Sequence, residues 1–430
     1  MKKIFLILLV SVVNTCFASE NNNSIKFDDY FINKSLRIDF NLEGSSEFQT
    51  ASLVEFRKEP VWGGVRKNLI DNFHYGDYFV KVYNKDTKTL IYSRGFNTLF
   101  EEWRSTEQAK LQTQKWLNSV VIPFPKNIVT IQILSRNKAT MKFKILWETE
   151  LNPKSDNIKD SKLKHNKINK ILNNGDPAKK VDLVFIGDGY SESEQEKFKS
   201  DAFRFAKALF TFKPFANYKE DFNIWTVNIE SKDSGTSMPD LGINKETALA
   251  SSFNTFGVPR YLTCQNMKPI RDAVWETPCD LIFILVNTER YGGAGMYNFY
   301  AMGSANNEKT LEVFVHELGH SFAGLADEYE YGDIMHNLNY EPWEPNITTL
   351  VDFKNAKKSW YNKLEKGTPI PTPLNNTYKS KIGVFEGAAY VSKGIYRPMN
   401  HCMMRDLKEF CPVCQDAIVR MINYFCDKEY

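Results

Sequence analysis

The chain has 430 residues, 55 basic and 52 acidic side chains, a formal net charge of +3, and 42% apolar and 14% aromatic residues. That composition excludes collagen-like, coiled-coil and wholly disordered chains, and the length favours two domains over a single core. So small a basic excess also argues against a dedicated nucleic-acid binder, which concentrates positive charge to neutralise phosphates.

Lys2 and Lys3 precede a mostly apolar run from Ile4 to Val13, and small residues follow around Ala18 and Ser19. This is the pattern of a cleaved export signal over residues 1–19. The run is too short for a permanent span, and no later stretch reaches the roughly 18–20 apolar residues a span requires. The expectation is an exported protein, secreted, periplasmic or at the cell surface, with no permanent membrane span. Cys16 would permit a lipoprotein anchor, but Val13-Asn14-Thr15 before it lacks the small apolar residues such a site uses.

An N-terminal β domain is predicted over residues 20–151. Leu36, Ile38, Phe40 and Leu42 alternate with Arg37, Asp39 and Asn41, as in a half-buried strand. Two strands flank the polar tip at Asn84 to Thr87, and two more, Ile128 to Leu134 and Met141 to Trp147, flank Ser135 to Lys138. The stretch 152–178, dense in Lys, Asn, Asp and Gly, reads as a charged, solvated linker. From residue 179 to 430 the pattern becomes mixed α/β. Val181 to Ile186 reads as a buried strand, and Ser191 with Glu194 as a capping box. The box opens a helix through Phe198, Ala202, Phe205 and Leu209, and Ile224 to Ile229 and Leu281 to Val286 read as further strands. The fold class expected is α+β in two domains: an antiparallel β-sandwich-like domain followed by a mixed α/β domain.

Six cysteines remain once Cys16 is removed, all in the second half. An even count after export suits disulfides, with Cys264 and Cys279 the first pair to expect; Cys402, Cys411, Cys414 and Cys426 permit three connectivities. The Cys411-Pro-Val-Cys414 run could instead be redox-active or hold a structural metal, but no second Cys-x-x-Cys or βαβ context supports either.

The chemistry is concentrated in His316-Glu317-Leu318-Gly319-His320. Leu311, Phe314, Val315, Leu318 and Phe322 form an apolar stripe, so the motif sits on an amphipathic helix. Two histidines one helical turn apart face the same way and can grip one ion at about 2.0–2.1 Å. Glu317 then stands beside the ion's open position, placed to take a proton from the water it activates. A third ligand is needed. Asp327, Glu328 and Glu330 follow downstream, and Gly324 can end the helix with positive φ and return the chain beneath the metal; resemblance to the metzincin pattern, whose third ligand falls three residues after such a glycine, favours Asp327. Glu328, or a distant glutamate such as Glu386, is the alternative.

The segment HELGHSFAGLADEY at 316–329 resembles the signature of the M64 metallopeptidases, the family typified by a bacterial immunoglobulin A peptidase. VDLVFIGDGY at 181–190, NTERYGGAG at 287–295 and YRPMNHCMMR at 396–405 resemble further family blocks in the expected order. The resemblance covers roughly 175–430, and the β domain more weakly. It implies a metzincin-like zinc endopeptidase with one zinc per chain, and makes Met404 the methionine of an apolar floor below the metal; without it, a core methionine is the default.

The glycine-rich segment around Gly293 reads either as an edge strand that holds extended peptide or as a plain tight turn. Tyr329, Tyr390 and Tyr396 are candidate oxyanion donors, with Tyr396 taken as a substrate-binding residue. The expected partner is therefore a protein or peptide substrate, cut by a water that Glu317 deprotonates at a centre of His316, His320 and Asp327. Rival readings are an exported binding or adhesion protein with a structural zinc, and a zinc hydrolase of a non-peptide amide.

Overall fold

The computed structural model describes residues 25–430 except 156, 161, 333–334, 336–338 and 357–358. The export signal expected at residues 1–19 lies outside the described residues.

The first third of the chain forms two four-stranded sheets. One runs, in spatial order, Gln114–Pro125, Phe31–Gly44, Gln49–Glu59 and Ile158–Asp160; the other runs Leu90–Phe96, Tyr78–Asn84, Val129–Arg136 and Phe143–Leu151. Their apolar faces share one core, in which Leu36, Ile38 and Phe40 meet Val80, Ile91 and Ile131. Both expected hairpins are present. At the first, Asn84 Oδ1 accepts from the Asp86 and Thr87 amides at 3.1 and 2.9 Å, the local chemistry that turns the chain.

Strand Phe31–Gly44 departs from the half-buried reading, because its polar face is buried as well. Arg37 is 0% and Asp39 1% exposed. Arg37 bonds Asp39 and reaches Asp272 at 2.7 Å, on the helix Met267–Val274 of the second half. The alternating charges face the other half of the molecule rather than solvent.

The second half is built on a six-stranded sheet in the order Gly293–Met296, Tyr300–Ser304, Leu281–Val286, Val181–Asp188, Phe222–Asn228 and Lys167–Leu172. The four inner strands are parallel and both edges antiparallel. Both faces are covered. Leu183 and Phe185 point into a core shared with the helices, while Val184 and Ile186 point into the core continuous with the β-sandwich. The presumed linker is thus structured at two points: Ile158–Asp160 pairs with Gln49–Glu59, and Lys167–Leu172 closes the second sheet. An edge strand with one exposed face tolerates the Lys and Asn content that suggested a solvated segment.

On the helical face, Ser191 and Glu194 form the expected capping box, and Phe198, Ala202, Phe205 and Leu209 are all buried on Gln195–Leu209. Helix Thr310–Ala323 lies against Gly293–Met296 and Tyr300–Ser304, with the C-terminal helix Pro412–Phe425 beside it. No helix among the described residues is long and apolar enough to cross a membrane.

The six described cysteines are free, so the expected Cys264–Cys279 bridge is not formed. Cys264 is buried where its backbone exchanges hydrogen bonds with the Tyr300 hydroxyl, and the Cys279 thiol turns to the Leu281 carbonyl at 3.7 Å.

Candidate metal centre and cleft

Helix Thr310–Ala323 carries His316, Glu317 and His320 on its buried side and ends at Gly324, whose φ of +65° only a residue without Cβ adopts freely. The Gly324 and Leu325 amides bond back to His320 and Gly319, closing the helix and reversing the chain. The reversal delivers Asp327 to the histidines. Its Oδ1 lies 3.1 Å from His316 Nε2 and 3.3 Å from His320 Nε2, and the two Nε2 atoms are 3.1 Å apart.

This triangle has the dimensions of a metal site. Donors bound tetrahedrally at about 2.0–2.1 Å stand about 3.3 Å from one another. The protonation pattern also fits. His316 Nδ1 faces the Met403 carbonyl at 3.0 Å and His320 Nδ1 the Leu325 carbonyl at 2.6 Å, so each ring donates outward and turns its Nε2 inward, where a bound cation would take the place of the Nε2 proton. Asp327 is 6% exposed and its Oδ1 has no hydrogen-bond partner, an orphaned buried acceptor aimed where a cation would stand. Burial opposes charge on both imidazoles, but Asp327 outweighs it. His316 is shifted upward and His320 pushed up to about 9, while the histidines hold Asp327 well below the usual carboxylate range.

Glu317 is buried beside them, and burial raises its carboxyl. It faces the edge strand Gly293–Met296. A Cβ at Gly293 would come within 2.8 Å of Glu317 Oε1, and one at Gly295 would collide with the Glu317 carbonyl. The glycines therefore bring strand and helix into backbone contact, and the segment is a strand rather than a plain turn. The open side of this strand is bridged at Gly293 by Tyr261, whose hydroxyl bonds Glu102 from the β domain. Burial pushes Glu102 up to about 7. This reach of the N-terminal half into the cleft has no local signature in sequence.

The segment after Asp327 is held by the hairpin Phe385–Ala388 and Val391–Arg397. Ala389 donates to the Asp327 carbonyl at 2.9 Å and Tyr390 to that of Tyr329 at 2.9 Å, and the Tyr390 hydroxyl donates to Asp327 Oδ2. Tyr390 is thus committed to a carboxylate. Tyr329 packs on Tyr390 and accepts from Arg260 at 3.1 Å. Tyr396, in contrast, faces Glu386 across the hairpin at 3.4 Å, and none of its described contacts reaches the histidines. Glu386 stays with the hairpin, accepting from the Gly394 amide at 3.0 Å, and Glu328 turns into a cluster of thiols. Of the acidic side chains considered as third ligands, Asp327 is the one that meets both imidazoles. Met404 lies under the helix, its Sδ 2.7 Å from where a Gly319 Cβ would be. The Met404 carbonyl accepts from the Glu328 amide at 2.8 Å, tying this turn to the Asp327 segment.

A family model described as IgA Peptidase M64 matches residues 169–379 and 375–422, and one described as Peptidase M64 N-terminus matches residues 26–147. No curated protein matches the chain.

Proposed function

From the premise that the chain belongs to the M64 family of peptidases, we propose that it is an exported, zinc-dependent endopeptidase with a metzincin-like catalytic domain. The observation that carries this reading is the convergence of His316 Nε2, His320 Nε2 and Asp327 Oδ1 beside the buried Glu317 and the glycine-lined edge strand. His316, His320 and Asp327 would hold the ion, and zinc bound there supplies Lewis acidity to the scissile carbonyl and to water.

The remaining chemistry belongs to the chain. An extended substrate docks on the edge strand Gly293–Met296 beyond the Tyr261 bridge at Gly293, which brings its scissile bond near Glu317. Glu317 takes a proton from the attacking water as the oxygen bonds to the carbonyl carbon. It then gives that proton to the amide nitrogen as the carbon–nitrogen bond breaks, and the second water proton passes from the new carboxyl to the amine, leaving a carboxylate and an ammonium group. Burial, which raises the Glu317 pKa, strengthens the carboxylate as the base that takes the proton from water. Met404 forms the apolar floor under the helix, and residues 1–19 direct export.

The test is metal content and proteolysis of a denatured protein, read as new amino termini, for wild type and Glu317→Gln. Expected are zinc in both proteins and a loss of about 10²–10⁴-fold in the variant. Cleavage by the variant at the wild-type rate would sink the peptidase reading in favour of a binding protein. Zinc-dependent activity confined to small non-peptide amides would move the reading to that class of hydrolase.

A further inference from the structure

Besides the histidine centre, a second cluster of metal-ligating side chains lies in the same half of the molecule. Cys402, Cys411, Cys414 and Glu328 place one donor atom each within 4.8 Å of one another. Cys402 Sγ is 3.6 Å from Cys414 Sγ, and Cys414 Sγ is 3.2 Å from Glu328 Oε1. Donors around a tetrahedral zinc, with Zn–S about 2.3 Å, stand about 3.5–3.8 Å apart. We propose that these four side chains hold a second, structural zinc ion.

Three further observations point to a cation. Glu328 is 0% exposed, its Oε2 has no partner, and its Oε1 receives only Asn346 Nδ2 at 2.9 Å and the Cys414 thiol. Arg397 acts on this carboxylate only at a distance, with no described hydrogen bond to it, so a charge buried here is costly. The three thiols are odd in number, and the fourth cysteine of this region, Cys426, turns away to the Asp221 carbonyl at 3.6 Å. Any disulfide among them therefore strands one thiol and leaves Glu328 Oε2 without a bonded partner among the described residues, whereas a divalent ion satisfies all four groups. Cys411 caps helix Pro412–Phe425 and Cys414 stands in its first turn, where the helix N-terminus favours thiolates. On binding, the three thiols release their protons to solvent.

The set is closed: four protein donors, all nearly or wholly buried, leave no open position, which is the mark of a structural ion. Its place in the chain gives it a task. Glu328 follows Asp327, and Cys402 precedes Met403, whose carbonyl fixes His316. The ion would clamp together the segment bearing Asp327, the turn under the helix, and the C-terminal helix.

The test is zinc stoichiometry and the cobalt spectrum of the full chain. Expected are about two zinc ions per chain in wild type, about one in His316→Ala/His320→Ala, and about one in Cys411→Ser/Cys414→Ser. Cobalt in place of zinc should give intense thiolate charge-transfer absorption in wild type and in the histidine variant, and none in the cysteine variant. Should the cysteine variant fail to fold, wild type still decides. Mercurial titration of its thiols must release one zinc, and alkylation of the denatured, chelated, unreduced chain must modify Cys402, Cys411 and Cys414. A single zinc lost in the histidine variant, or a disulfide between any two of the three cysteines, overturns the proposal. Neither result bears on Glu317, so the two readings fail separately.

Discussion

Asp327 and Glu328 are neighbours in sequence and both buried, yet their carboxylates serve different clusters. Asp327 joins two imidazoles beside Glu317 and the glycine-lined edge strand. Glu328 joins three thiols in a closed set. On the readings proposed above, adjacent residues of one charge type would belong to a reactive centre and to a structural one. What separates them is the company they keep: two imidazoles with Glu317 beside them, or three thiols.

The sharpest way to break this comparison is to remove each carboxylate. Asp327→Ala should abolish histidine-site zinc and lower kcat/KM on a protein substrate by on the order of 10³-fold or more. Its melting temperature in chelator should stay within about 2 °C of wild type. Glu328→Ala should do the reverse in kind, lowering the melting temperature by roughly 5–10 °C, equivalent to about 3 kcal/mol. Equal losses of stability in both variants would show that the two clusters are one structural unit.

A smaller effect tests the open side. In Gly293→Val the new side chain must displace Glu317 Oε1 or Val313 Cγ1, which would lie 2.8 and 2.9 Å from its Cβ. A shift of the base by a fraction of an ångström should lower kcat about 10–100-fold with zinc content unchanged. Unchanged kcat with a raised KM would assign Gly293 to substrate docking alone.

These two clusters were unequally legible in sequence, and the reason is chain separation. His316 and His320 sit one turn apart on a helix announced by its own apolar stripe, and Leu281–Val286 is a strand whose bounds follow from its unbroken apolar run. Asp327 was within reach because Gly324 marks where the helix ends. The thiol cluster joins Glu328 to cysteines 74 to 86 residues later in the chain, and Cys411-x-x-Cys414 alone is too short a signal to fix a site. Sequence does not rank Tyr390 against Tyr396 for a related reason. Which tyrosine of a hairpin reaches the centre depends on a turn in which Ala389 and Tyr390 both take positive φ, and side-chain type does not encode that. Arg37 and Asp39 misled because alternation marks two faces of a strand without saying that a second domain covers the polar one.

The smallest expected effects come from the groups that hold the two carboxylates without joining either cluster. Tyr390→Phe removes the hydroxyl donor from Asp327 Oδ2, and Asn346→Ala removes the amide from Glu328 Oε1. Partners of this kind orient a ligand, so Tyr390→Phe should weaken zinc at the histidine site about 10–100-fold, with activity restored by excess zinc. The Asn346 side-chain amide also exchanges two hydrogen bonds with the Ala326 backbone, accepting at 2.8 Å and donating at 2.9 Å. Asn346→Ala should therefore cost about 1–3 kcal/mol of stability, read as a lower denaturant midpoint, while zinc affinity at the histidine site stays as in wild type. If Tyr390→Phe lost activity that excess zinc did not restore, Tyr390 would be acting on the substrate as well as on Asp327. The open centre would then extend one residue further along the hairpin, and the line between the two clusters would fall at Tyr390 rather than at the Asp327–Glu328 peptide.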